Sequence, residues 1–320
     1  MTTTGQRGAV DLLSGAGPPP AALSGIVLAG LRILAGLMWL VNVVWKVPTD
    51  FGGDTGRGLY FWTRLAVDHP VFPPYSWLVE HLVLPNFTPF GWLVFVMEST
   101  LAVLLLTGTA VRLAALIGVG QSVAIALSVA AAPNEWPWAY AMMIGIHLVL
   151  LFTASGRYAA VDAVRAAAAT GNGAPVARRL LGGWGAVLAL VGLIALYRAR
   201  GDEFLAVRGR RVGYQELEFW VGDYNLLGAL LLLVIAVLML AGAVMRARVL
   251  GLAAAVIAAA AALSIYVQLG RTDVWLGGLP TTAAVFACAF VVAVAAHPLR
   301  DSPAPATGVS AGQEPEAQGA

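Results

Sequence analysis

Three apolar runs follow one another at residues 91–107, 113–132 and 137–153, joined by connections of only a few residues, and each carries one strongly polar side chain near its middle. Those residues are Glu98, Gln121 and His147. At about 1.5 Å of rise per residue, each run as a helix is close to the thickness of a bilayer's hydrocarbon core. Only closed backbone hydrogen bonding survives at that depth, which makes helices the expected form. A chain reversing direction through the three runs brings Glu98, Gln121 and His147 to one level, with Asn134 and Glu135 marking one membrane face and Arg112 and Arg157 the other.

The rest of the chain fits the same environment. Hydrophobic residues are 59% of 320 positions and charged residues 11%, with a mean hydropathy of +0.81. A soluble domain needs more charge than this, so the chain reads as an all-α, polytopic membrane helical bundle. Further apolar runs at 21–47, 180–197, 223–244, 249–268 and 279–296 bring the expected total to about eight transmembrane helices. The 48–86 connection is rich in Gly and Pro; within it 75–84 reads equally as an interfacial helix or an ordered loop. The 204–212 segment reads as a short strand or a turn, and the tails at 1–20 and 299–320 as disordered.

An internal repeat is visible in outline. The turn at 108–113 has a counterpart at 243–249, and Trp136 and Pro137 find an echo in Trp275 and Pro280, an offset of about 136 to 139 residues. This divides the chain into two parallel four-helix units at 21–165 and 180–298, joined by a linker at 166–179. The second unit has no counterpart of Glu98 or His147, which assigns the site to the first. Basic residues divide evenly between the two faces, but the tight turns at Arg112 and at Arg246 and Arg248 hold theirs without acids. That places both termini in the cytoplasm, for a multi-pass protein of the inner membrane.

A carboxylate in the middle of a span is costly and must face the bundle interior, take up a proton, or find a cation. Arg32 lies far enough along the first run to be the expected partner of Glu98, which as a purely structural pair would pin the first span to the second. With His147, an imidazole able to exchange protons near neutrality, Glu98 and Arg32 form the candidate catalytic set that would bind the polar head of a quinone. The competing reading of His147 is a satisfied core histidine. Gln121 would line the same pocket or join helices. Asn42, Lys46, Glu135 and Tyr140 would form its outer mouth for a small anion, unless Lys46 is an ordinary interfacial anchor. Cys288 is the only cysteine, so there is no intrachain disulfide. No haem-ligating histidine pair, dinucleotide loop, phosphate loop or metal site is apparent, and a net charge of +2 gives no basis for nucleic-acid binding. No cofactor is intrinsic to the sequence; a bound quinone is the expected one, and the partners are the lipid bilayer and a redox subunit.

Arg32, Gly36, Trp45 and Lys46, then Glu98, then residues 108–114, then residues 133–140 with their Glu-Trp-Pro-Trp core, and Gly156, Arg157, Tyr158 and Asp162 together resemble the DoxX/DoxD family over roughly residues 25–165. The resemblance implies a four-helix membrane unit. It also implies a membrane subunit of a quinone-linked oxidoreductase, passing electrons from thiosulfate or another small sulfur compound to quinone. Members that act as membrane partners of redox or oxidative-stress proteins imply the alternative, a non-enzymatic scaffold or assembly partner. The four spans beyond residue 165 depart from the family's short form.

Overall fold

The computed structural model describes residues 21–46, 48–204, 209–214, 219–269 and 275–296. The tails expected at 1–20 and 299–320, and residues 205–208 of the expected 204–212 segment, lie outside the described residues. The chain is a polytopic bundle of apolar helices. Helix α1 is Ala21–Val44, α2 Gly58–Asp68, α3 Pro73–Leu78, α4 Phe87–Thr107, α5 Val111–Val129, α6 Pro137–Phe152, α7 Val161–Ala168 and α8 Gly173–Ala199. A hairpin of β1 Arg210–Tyr214 and β2 Phe219–Tyr224 follows, then α9 Leu226–Met245, α10 Arg248–Gln268 and α11 Pro280–Ala295. Six helical stretches are long and apolar enough to cross a membrane, and α6 and α11 are shorter apolar helices.

Differences from the sequence expectation have local causes. Pro73 and Pro74 open α3, whose last turn widens into a π-turn at Val79–Val83 and then tightens into a 3-10 turn at Leu84–Asn86. These turns absorb Pro85, which lacks an N–H, so the expected interfacial segment runs directly into α4. Helix α2 was hidden by the surrounding glycines, although it buries Leu59, Thr63, Leu65 and Ala66 on one face. The linker expected at 166–179 is largely helical, the end of α7 and the first turns of α8, because Gly171, Asn172 and Gly173 punctuate an otherwise helix-forming run. The strand-or-turn segment contributes β1, antiparallel to β2 with a bulge between Arg211 and Gly213.

Neighbours in sequence are neighbours in space. Helix α1 packs mainly on α4, α5 on α6, α8 on α9 and α10 on α11. The last helix is the most enclosed: α11 buries nearly every residue from Pro280 to Ala289 and touches α1, α4, α8, α10 and β2. One hydroxyl joins it to the hairpin, since Thr282 Oγ1 accepts from Asp223 N at 3.0 Å and donates to Asp223 O at 2.8 Å.

The tail-side reversal between α4 and α5 is held by two side chains from elsewhere. Helix α4 ends at Gly108, whose φ of 67° suits glycine; a Cβ there would also lie 2.5 Å from Arg32 Nη1. The fully buried Arg32 guanidinium donates to Leu105 O at 2.5 Å and Leu106 O at 3.3 Å from Nη1, and to Tyr158 O at 3.3 Å and Ala159 O at 2.8 Å from Nη2. Leu105 and Leu106 lie in the last turn of α4, where carbonyls run short of helical partners, and Tyr158 and Ala159 lie in the bend before α7. Asp162 does the reverse for α5: its carboxylate accepts from Ala110 N and Val111 N, both at 2.9 Å, while its own N–H reaches Gly108 O at 3.0 Å. A cation at the end of one helix and an anion at the start of the next both oppose the local helix dipole. Replacing Asp162 with Ala removes two charge-assisted bonds, each worth about 1.5–3 kcal/mol. The expected result is a lower unfolding temperature in detergent and faster amide exchange across residues 108–112. Unchanged exchange there would show that the carboxylate does not hold the turn.

Candidate functional site

Glu98 sits midway along α4 and is 1% exposed; its partner is Lys46, 2% exposed, with Nζ 2.5 Å from Glu98 Oε2. The expected pair with Arg32 does not form. Helices α1 and α4 run antiparallel, and Arg32 meets Leu105, seven residues or about 10 Å along α4 from Glu98. Lys46 lies just beyond the end of α1, yet its stem folds back into the bundle, so that Nζ also donates to Asn42 O at 2.8 Å and lies 3.9 Å from the centroid of the Trp45 ring. An interfacial anchor would send the amine outward to water; here it is enclosed. The other carboxylate oxygen, Glu98 Oε1, accepts from Gln121 Nε2 at 3.0 Å. Three helices, α1, α4 and α5, are thereby joined through one buried network.

His147 occupies a different knot. Its Nδ1 is 2.7 Å from Met143 O and its Nε2 accepts from Trp39 Nε1 at 2.9 Å. With an acceptor at one nitrogen and a donor at the other, the ring is the neutral Nδ1–H tautomer. Its face fills the space left by Gly118, where a Cβ would come within 2.1 Å of the ring. Gly118 precedes Gln121 by one turn, so the expected common depth holds, but His147 makes no hydrogen bond to Glu98.

Asn42, Lys46, Glu98 and Gln121 are thus brought together, while Arg32, Glu135 and Tyr140 are not part of that network. Tyr140 donates to Glu135 and packs beside Leu65, Val129 and Ala132, in a small cluster of its own. Sequence reasoning also missed a cleft of about 580 Å³ on the hairpin face, where Asn42 of α1 and Trp45 just beyond it meet Met143 of α6 and Arg211, Tyr214 and Trp220 of the hairpin. Its signal was the pair Arg210 and Arg211 followed within ten residues by Tyr214, Phe219 and Trp220. Glu98, Gln121 and His147 do not line it.

Among the described residues, no group of three or more His, Cys, Asp or Glu is placed to hold a metal ion. No family model, curated protein or solved structure matches the chain. Chemically, the network is a charge pair closed by an amide and a backbone carbonyl. Breaking such a pair from one side strands a charge in an apolar interior, at a cost of about 3–5 kcal/mol, whereas removing both charges is far milder. Lys46→Met and Glu98→Gln should each lower thermal stability strongly, and the double variant should recover most of the loss, the amide at position 98 still accepting from Gln121. Additive losses in the double variant would show that the two residues do not act as a pair.

Proposed function

We propose that this multi-pass membrane protein is a DoxX/DoxD-like membrane subunit that acts as a non-enzymatic scaffold for a redox partner. The observation that carries this reading is the closure of every candidate catalytic group. Glu98 is held by Lys46 and Gln121, His147 by Trp39 and Met143, and both terminal nitrogens of Arg32 by four carbonyls, its buried Nε alone lacking a partner among the described residues. General acid–base work needs a group free to meet a substrate proton, and these are committed to their own bundle. In this reading the chain crosses the inner membrane eight times with both termini cytoplasmic. Two parallel four-helix units are supported by the order of contacts: α1, α4, α5 and α6 close a ring in which each touches the next, and α8, α9, α10 and α11 close another. The surfaces left for a partner are the 157–179 segment on the tail side and the 204–222 loop on the other.

The second reading is a quinone-linked oxidoreductase subunit in which thiosulfate or a related sulfur compound supplies electrons to a quinone near Glu98. The family resemblance and the ionisable pair at mid-depth favour it. The two separate in one experiment. Gently extracted protein should show a co-purifying subunit by native mass spectrometry, with crosslinks at 157–179 or 204–222. Thiosulfate should give no quinone reduction by the purified chain, and Glu98→Gln should change stability only. Substrate-dependent quinone reduction that falls in Glu98→Gln protein with its fold intact would overturn the scaffold reading.

A further inference from the structure

We propose that the cleft on the hairpin face binds an amphiphile with an anionic headgroup, a phospholipid of the adjoining leaflet seated head-first on Arg211. The cleft has the right polarity along its length. Met38, Val41, Asn42 and Val44 of α1 line it with Trp45 just past the helix end; Met38, Val41, Asn42 and Trp45 follow i, i+3, i+4 and i+7 spacing, a stripe about 10 Å long. Met38 is at the inner end of that stripe and Trp45 at the helix terminus, where an indole suits the membrane interface. Met143 closes one side from α6 and the hairpin covers the top. Helices α1 and α6 touch each other least of the four in their ring, which leaves their seam open sideways to lipid.

The head end offers donors and a fixed cation. The Arg211 guanidinium lies 3.2 Å from the centroid of the Trp220 ring, and the Arg211 carbonyl accepts from Arg198. Stacking occupies the flat face of the guanidinium and leaves its edge available to acceptors; among the described residues that edge has no hydrogen bond or ion pair. Asn42 Oδ1 accepts from Trp45 Nε1 at 3.3 Å, and the rest of its amide has no partner among the described residues. The neighbouring acids are engaged. Asp202 is paired with Arg210 at 2.6 Å; Asp223, opposite Arg211 in the ladder, accepts from Trp220 Nε1 at 2.6 Å and attracts the guanidinium electrostatically without an ion-pair contact. Glu98 is bound to Lys46, which rests on the Trp45 ring. Among the described residues, no carboxylate lines the cleft. A donor-rich, cationic head end above an apolar stripe fits an anionic headgroup with a hydrocarbon tail, the arrangement by which basic pockets between spans hold acidic lipids. The cleft is within the size range of ligand pockets, about 300–1,000 Å³. It takes the head and the first part of the chains, the remainder staying in the bilayer. This assignment does not depend on the scaffold reading.

The test is lipid retention by the full chain, delipidated in detergent and titrated by native mass spectrometry with phosphatidylglycerol and phosphatidylcholine of identical chains. Wild-type protein should retain phosphatidylglycerol in preference, and Arg211→Gln should reduce that preference by about tenfold, one charge-assisted contact's worth. Arg210→Gln, which removes the same charge from the next position of β1, should leave the preference intact. Met143→Trp, which fills the cleft with Arg211 in place, should abolish retention, so a folding defect in one variant does not decide the matter. Equal retention of the two lipids, or equal losses in the Arg210 and Arg211 variants, would overturn the site. Displacement by glycerol phosphate at matched concentration would reassign it to a soluble anion, and preferential retention of a neutral quinone would overturn the anionic assignment.

Discussion

The enclosed contact between Lys46 and Glu98 sets the terms for the first half of the bundle. Neither charge is tolerable alone in an apolar interior, so each fixes where the other must be. Lys46 comes from the end of a helix whose next residues leave the membrane, and its side chain turns back to reach the pair. The outer end of α1 is thereby tied to the middle of α4, and through Gln121 to α5. Lipid offers helices no hydrophobic incentive to associate, and polar contacts of this kind take over part of that work.

At the tail-side end of the same helices a second polar knot has the opposite design. Arg32 and Asp162 do not pair with each other at contact distance; each serves backbone groups that the reversal between α4 and α5 leaves open. Between the two knots lies the Trp39–His147 contact, which joins α1 to α6. The second half is held differently. Ala254, Ala258, Ala261 and Ala262 of α10 and Ala283, Ala284 and Ala289 of α11 are buried, and small side chains let these backbones approach closely. Polar fixation in one half and close packing of small residues in the other are joined through α11, which reaches both α1 and α4.

Much of this architecture was legible in the sequence because membrane helices announce themselves by length and hydropathy, and the turns at Gly108 and Arg246 by their position between runs. The common depth of Glu98, Gln121 and His147 followed from the same counting. The partner of Glu98 did not. Counting places Arg32 nearer the middle of its span than Lys46, but it takes no account of where the antiparallel α4 sets its carbonyls or how far a lysine stem can reach back. Helix α2 was obscured because glycines around it carry a loop signal stronger than the amphipathic pattern of an 11-residue helix. Residues of the hairpin could not be joined to the cleft from sequence, since Arg211 and Met143 come together only through the packing of β2 on α1 and of α6 beside it.

The distribution of polar cross-links also explains where the bundle leaves room. Helices α1 and α4 are tied at two levels, the outer end of α1 to the middle of α4 by Lys46 and Glu98, and the middle of α1 to the last turn of α4 by Arg32 and Leu105, and they pack closely. Among the described residues, helices α1 and α6 share one side-chain hydrogen bond, Trp39 to His147, below the level of Asn42 and Met143. Above that contact, among the described residues, no side-chain hydrogen bond draws the two helices together, and the space between them is the cleft that the hairpin roofs. His147, saturated on both nitrogens, does not line that space; its bond with Trp39 closes the seam beneath it, while the polar side chains that face an incoming molecule include Asn42 and Arg211.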